Sequence, residues 1–345
     1  MNRKFLENLI CAPSPVGRED EAIKTVVDYT KEEADDYIYD NYGSVTTVYN
    51  KHSDFKVCLM AHSDEISLIV NGYNNDGSLT VASNGGIRAK LYIGTKVRII
   101  TDDKIYKGVM GVNSGLLSKE KVSADDLFVD CGFISSEDAK KNIPLGSYII
   151  HDIDIEEMFN SNITGRAFDD RLGVYITQEA ALKAKREGAK VGIYCTASVG
   201  EENTGRGAYS SSSIIKPNCA VIVDVTYAND YRGADDPGDV KLGEGGVCCI
   251  GSTINRKLKT ILEEAAKEIN EKMQYEVWPG RTATDGDTML KSNEGVPFVL
   301  YSIPLRYMHS PVEVANIKDI ESMINVLANF IKKLDSNIDL KPYKF

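Results

Sequence analysis

The sequence predicts an α/β fold into which a smaller β-rich unit is inserted. Three observations carry that expectation. Strand-like and helix-like patterns alternate towards both ends of the chain. The run FKVCLMAH (residues 55–62) is apolar on both faces, as a central strand of a parallel sheet must be. Between about Ser67 and Ile163 helical periodicity gives way to short strand-like pieces separated by Gly, Asn and Asp turns.

Taken in order, Pro13, Ser14, Pro15 and Gly17 form a turn. Ala22, Ile23, Val26, Val27 and Tyr29 then make a helical stripe, which predicts a helix over 18–34. YGSVTTVYN reads as a strand and leads into FKVCLMAH. The pieces SLIVNGY, SLTVAS, TKVRII, KIYKGVMGV, DLFVDCG and GSYIIH predict a small antiparallel barrel or sandwich, with room for one short helix at SSEDAKKN. From Thr164 the alternation returns. A helix is expected over 169–188, strands at KVGIYCTASV and CAVIVDVTY, a helix over 255–273 and a strand at VPFVLYSIP. In the last helix Ile317, Ile320, Met323, Ile324, Leu327, Ile331 and Leu334 share one face. The expected division is an α/β domain of residues 1–66 and 164–345, interrupted by a β-rich domain of residues 67–163.

The chain has 345 residues, 42% hydrophobic and 26% charged, enough for one large core or two unequal ones. Its formal charge is -11, and no run of Lys or Arg forms a stripe, so nucleic acid is not an expected partner. No stretch approaches a membrane span, and the N-terminal residues contain no apolar core of signal-peptide length. The seven cysteines are odd in number, lack a CxxC, and lie mostly in apolar runs, which suits reduced thiols and a cytoplasmic location.

Residues with affinity for divalent metals recur after apolar runs: His62 with Asp64, Asp169, the pair Glu201-Glu202, Asp224 and His309. Taken singly, a strand-end histidine, an acid in the first turn of a helix or a solvated glutamate loop would explain each. Their types and placement count jointly. Two imidazoles and three carboxylates suit two zinc-like ions if one carboxylate bridges them. His62 and Asp64 are two apart and face one side. Asp64 could orient the imidazole through its side chain or its backbone. Adjacent residues do not aim at one point, so one of Asp169 and Asp170 should be the inner ligand. In the glutamate pair, one carboxylate can bind metal while the other serves as base. Asp224 in an apolar strand needs a cation or hydrogen bonds to offset its burial. The other histidines, His52 and His151, sit in polar stretches (NKHSDF, IIHDID) and are set aside.

The motifs LICAPSPVGRED, AHSDEI, AFDDRLG, SVGEENTGRGA, VDVTYAND and RYMHSPVEV occur in this order, with TATDGD and EGVPFVLYSIP before the last. In these the chain resembles, over nearly its whole length, the tetrahedral (TET) or glutamyl aminopeptidases, cytosolic peptidases with a co-catalytic metal pair. The resemblance implies a mixed-sheet, three-layer α/β/α phosphorylase/hydrolase-like peptidase domain with a small inserted β-barrel-like domain. It implies that His62 and Asp224 hold one metal, Glu202 and His309 the other, and that Asp169 bridges them. Asp170 is often Asn in similar sequences. Zinc is the expected metal, with cobalt or manganese as alternatives. Glu201 would take a proton from a water shared by the metals and later protonate the leaving amine, while Asp64 supports His62. The implied substrates are peptides, cut at the N-terminus. The implied assembly is a homo-oligomer built from dimers, up to a tetrahedral dodecamer, with the insert used for contacts.

Ser67 stands where similar sequences usually have Gly, and Gly200 where Gln is frequent; Asn203 and Thr204 are also unusual. No ligand position is affected, so these departures bear on pocket shape and specificity. The preferred N-terminal side chain stays open between acidic and bulky apolar. The alternatives are a related dinuclear deacylase or carboxypeptidase, a glycosidase such as an endoglucanase using paired carboxylates, and an inactive metal-binding scaffold. The two histidines argue against the glycosidase, and Glu201 argues against the scaffold.

Overall fold

The computed structural model describes residues 1–234, 238–341 and 343. The chain opens with helices α1 (Arg3–Cys11) and α2 (Asp20–Thr30), then strands β1 (Asp36–Tyr39), β2 (Val45–Tyr49) and β3 (Lys56–His62). Next come β4 (Ser67–Tyr73), β5 (Leu79–Asn84), β6 (Lys96–Ile100), β7 (Ile105–Met110), α3 (Ser114–Ser118), β8 (Phe128–Asp130), α4 (Ser136–Asn142) and β9 (Tyr148–His151). The hairpin β10 (Glu156–Glu157) and β11 (Asn162–Gly165) leads to α5 (Phe168–Arg186), β12 (Gly192–Ser198), α6 (Arg206–Ile215) and β13 (Cys219–Tyr227). The remainder is β14 (Val247–Gly251), α7 (Arg256–Glu268), β15 (Gln274–Trp278), α8 (Asp285–Met289), β16 (Phe298–Leu305), β17 (Glu313–Asn316) and α9 (Ile317–Lys333).

The main sheet has eight strands in the order β1-β2-β12-β3-β13-β16-β14-β15. It is mixed. The central strands β12, β3, β13 and β16 run parallel, whereas β2 joins β12 and β14 joins β16 antiparallel. Every residue of β12 and β16 is buried, as expected for strands covered on both faces. Helices α1, α5, α7 and α9 pack with one another, and α5 and α9 lie on the sheet. Helices α6 and α8 pack together against β12 and β3, which makes three layers. The expected face of α9 is buried at Ile320, Met323, Ile324, Leu327 and Ile331.

Strands β4-β5-β8-β7-β6-β9 close into a six-stranded barrel around its own core, including Leu68, Val81, Val97, Ile99, Val129 and Ile149. Closure leaves the barrel no free strand edge. Beyond His151 the chain returns to the body, and β11 pairs antiparallel with β17. The helix expected over 255–273 ends early. Asn270 takes a left-handed backbone (φ 56°), and the chain re-enters the sheet as β15, an edge strand the sequence reading lacked. The first helix, α1, was also missed. All seven cysteines are free thiols. No helix among the described residues is long and apolar enough to cross a membrane.

Candidate metal centre

The site lies beyond the C-terminal ends of the central parallel strands, where open α/β sheets leave a crevice. His62 is the last residue of β3, and Glu201 and Glu202 follow β12. Asp224 lies inside β13 rather than at its exit, and Asp169 sits at the start of α5, shortly after β11. His309 is in the turn after β16, with φ 60°. All seven predicted residues therefore converge on one place.

The carboxylate of Asp169 faces both imidazoles. Its Oδ1 is 3.0 Å from His62 Nε2, and its Oδ2 is 3.2 Å from His309 Nε2. Glu202 Oε1 is 3.4 Å from the same His309 nitrogen. Two donors about 2.0–2.1 Å from one tetrahedral ion lie roughly 3.3 Å apart, so these separations match shared coordination. His62, Asp169 and Glu202 offer ligand atoms within 4.8 Å of one another, and so do His62, Asp170 and Asp224.

The other ring nitrogens have partners that leave Nε2 free for a metal. His62 Nδ1 is 3.2 Å from the backbone carbonyl of Asp64, the nearer acceptor, with the Asp64 carboxylate at 3.6 Å. The Asp64 carboxylate instead accepts from the N–H groups of Glu201 and Glu202, each at 3.1 Å. It positions both glutamates. His309 Nδ1 lies 3.1 Å from the carbonyl of Gly86, in the segment between barrel strands β5 and β6.

Both carboxylates of the Asp169-Asp170 pair lie near this centre. Both residues have non-helical torsions before regular helix begins. The two roles still differ. Asp170 accepts from the backbone N–H of His62 (3.2 Å) and of Gly173 (3.2 Å), so its oxygens serve the backbone.

The electrostatics show what such a donor set lacks. Asp64, Asp169, Asp170, Asp224 and Asp285 are all buried. Burial pushes Asp170 and Asp224 well above the usual carboxylate range, and neighbouring acids push further. Glu201 is raised to about 10, by burial first and then by Asp224, Asp285 and Glu202 against the opposing His62. Burial alone would also raise Asp169, but hydrogen bonds from His309 and His62 outweigh it and hold the group low. Burial opposes charge on the imidazoles, yet Asp169 and its neighbours push His62 well up and His309 to about 12. Histidines that seek a proton and acids forced to take one are the signature of missing positive charge. Divalent ions would supply it, so the residues fit metal. One oxygen of Asp285 is buried without a partner.

The family model of the M42 glutamyl aminopeptidases matches residues 43–326. That span contains every ligand candidate, from His62 to His309. The chain belongs to the M42 glutamyl aminopeptidase family. The lysyl aminopeptidase of Pyrococcus furiosus is 33% identical over 341 residues, covering 96% of this chain and 97% of its own. The solved TET aminopeptidase of the marine sediment archaeon Thaumarchaeota archaeon SCGC AB-539-E09 has a TM-score of 0.89 and 28% identity, over 96% of this chain and 97% of that one. The TET1 peptidase of Pyrococcus horikoshii, which can assemble into a tetrahedron or a large octahedral shell, shares the fold, with a TM-score of 0.84 and 24% identity over 96% and 99% of the two chains. As a member of this family the chain is a metal-dependent aminopeptidase, a hydrolase of peptide bonds.

Several supporting residues of this M42 chain escaped the sequence reading. Glu65 is buried and salt-bridged to Arg166 (2.5 Å) and to Arg171, which together pin the turn after β3. Glu313 accepts from the backbone of His309, Phe168 and Asp169. Asp285 accepts from Ser198 Oγ behind the glutamate loop. All three acids lie in motifs quoted for the resemblance, but their partners are mostly distant in sequence. His151, set aside as a loop residue, closes β9, is buried, and packs against Tyr92 with centroids 4.0 Å apart and the rings tilted by 30°. Burial lowers it to about 4, so it is neutral.

Proposed function

We propose that this aminopeptidase works with two divalent ions, zinc first with cobalt or manganese as alternatives, and removes the N-terminal residue of peptides. The observation that carries the reading is the Asp169 carboxylate, with one oxygen towards each imidazole. His62 and Asp224 would hold one ion and Glu202 and His309 the other, with Asp169 shared. When bound, the ions supply Lewis acidity at the scissile carbonyl and ease ionisation of the attacking water. Glu201 lines the same cavity of about 210 Å³ as His62, Asp169 and Asp224. It is the carboxylate left over once Glu202 ligates. Its role is to take the proton of the attacking water and return it to the leaving amine. Asp64 holds Glu201 and Glu202 in place through their backbone N–H groups.

The free α-amine of the substrate would meet this carboxylate-rich centre. Away from the ligands, the cavity wall includes Tyr227, Trp278, Thr282, Thr284 and Met308, all neutral, which favours bulky apolar over acidic N-terminal side chains. We assign residues 1–66 with 164–345 to catalysis and 67–163 to self-assembly. Exposed Val112, Leu117, Ile134 and Leu145 on the insert support contacts between copies, as does the assembling TET1 relative. The free thiols support a cytoplasmic location.

Paired peptides with free and acetylated N-termini test the reading by mass spectrometry. Stepwise loss from the free end, with the acetylated partner intact, is expected. Equal cleavage of both, or loss from the C-terminus, would favour the deacylase or carboxypeptidase alternative.

A further inference from the structure

Glu313 opens β17, and its carboxylate joins two turns that carry proposed metal ligands. Its Oε1 accepts from the backbone N–H of His309 at 2.9 Å. Its Oε2 accepts from the N–H of Phe168 at 2.8 Å and of Asp169 at 3.3 Å. The side chain is 2% exposed. A carboxylate this deep, spread over three backbone donors, is not a surface accident.

Both turns need an anchor. Ala167 and His309 have left-handed backbones, with φ of 56° and 60°. Each is disfavoured for a residue with a Cβ, so neighbouring contacts must fix it. The β11–β17 pairing sets Glu313 opposite Gly165, directly before the Asp169 turn. The His309 turn precedes β17 in the chain. One side chain thus holds the backbone of both the shared carboxylate and the second imidazole.

We propose that Glu313 is the positioning residue that sets the spacing between Asp169 and His309, and through it the affinity of the Glu202–His309 metal position. The proposal rests on the two-ion reading. The other position has its own supports: His62 is oriented by the Asp64 carbonyl, and Asp224 is fixed inside β13. A loss at Glu313 therefore reaches the second ion through both His309 and Asp169, but the first only through the shared Asp169, and falls more heavily on the second. Glutamine keeps the shape of the side chain but has one acceptor oxygen. Its NH₂ group would confront at least one of the backbone N–H donors, so one turn loses its anchor.

Asp319 supplies the matched control. It is 1% exposed and accepts from the N–H groups of Gly243 and Gly245, each at 2.7 Å, but holds no ligand turn. The experiment titrates metal-free wild type, Glu313→Gln and Asp319→Asn with Zn(II) against a competing chelator. Wild type should bind two equivalents. In Glu313→Gln the tighter equivalent should stay within about twofold of wild type while the other weakens roughly tenfold or more, the lower end for loss of a group that orients ligands. Asp319→Asn should leave both equivalents unchanged even where it lowers stability. If Glu313→Gln does not fold, Glu313→Asp, which withdraws both oxygens by one methylene, is judged by the same criteria. An unchanged second equivalent, or equal weakening in Asp319→Asn, overturns the proposal. A wild type that binds fewer than two equivalents overturns the two-ion reading itself, a distinct result.

Discussion

The barrel core and the strand ends of the α/β body both bury side chains, but of opposite kinds. Inside the barrel the buried residues are Leu68, Val97, Ile99, Val129, Ile149 and similar apolar groups. At the strand ends of the body the same depth is reached by Asp64, Asp169, Asp170, Asp224 and Asp285. Each buried apolar side chain contributes about 1.5–3 kcal/mol. Each uncompensated buried charge costs several kcal/mol. The barrel is thus explained by packing alone, whereas the body's carboxylate cluster needs hydrogen-bond donors, protons or added cations to offset its burial. The two regions touch at the site itself, where the barrel-side carbonyl of Gly86 receives the Nδ1 hydrogen of His309.

The sharpest way to break this contrast is on the body's side. Glu201→Gln should lower peptide turnover by about 10²–10⁴-fold, the range for a general acid-base, while both ions stay bound. Elemental analysis beside steady-state kinetics checks it. Loss of metal in this variant would mean that Glu201 and Glu202 exchange roles.

On the barrel's side, Ile99→Ala should cost about 2–5 kcal/mol of stability in denaturant unfolding, as for other large-to-small core changes. Metal content should not move. A drop in bound metal would show that the barrel core reaches the site through Gly86, and the contrast would have to be redrawn.

A smaller effect separates burial from metal chemistry within the body. Glu19 is 6% exposed and pushed up to about 7 by burial first, with Asp64 adding, against hydrogen bonds from the backbone and the nearby Arg206. Its folded value lies above the unfolded one of 4.5, so its stabilising protonation is complete below about pH 4.5 and lost as pH rises through 7. The melting temperature of wild type should therefore fall relative to Glu19→Gln between pH 5 and about 8. Thermal melts across that range check it, and a constant gap would contradict it.

The sequence reading anticipated what periodicity and residue type can carry. FKVCLMAH, VPFVLYSIP and the α9 stripe announced their own burial, and His62, Asp169, Glu201, Glu202, Asp224 and His309 announced a cluster that the fold gathers around one cavity. Local pattern could not reveal how the parts are oriented. Asp224 lies in mid-strand, Asp170 joins Asp169 because of torsions at the start of α5, and Asp64 acts on the glutamate backbone. Glu313 and Gly86 were invisible for a related reason. Each acts through backbone groups brought close only by the fold, in one case across the β11–β17 pairing and in the other across the boundary with the barrel. The edge strand β15 is short, and its alternation runs the wrong way, with apolar Tyr275 and Val277 exposed.

The most direct test of the two-ion account follows metal content and turnover together. Metal-free protein is titrated with Zn(II), and bound metal and hydrolysis of a peptide with a free N-terminus are measured at each step. The account predicts saturation at two equivalents per chain, with full turnover reached only as the second is filled. Full turnover by the exhaustively chelated protein, or saturation at a single equivalent, would contradict it.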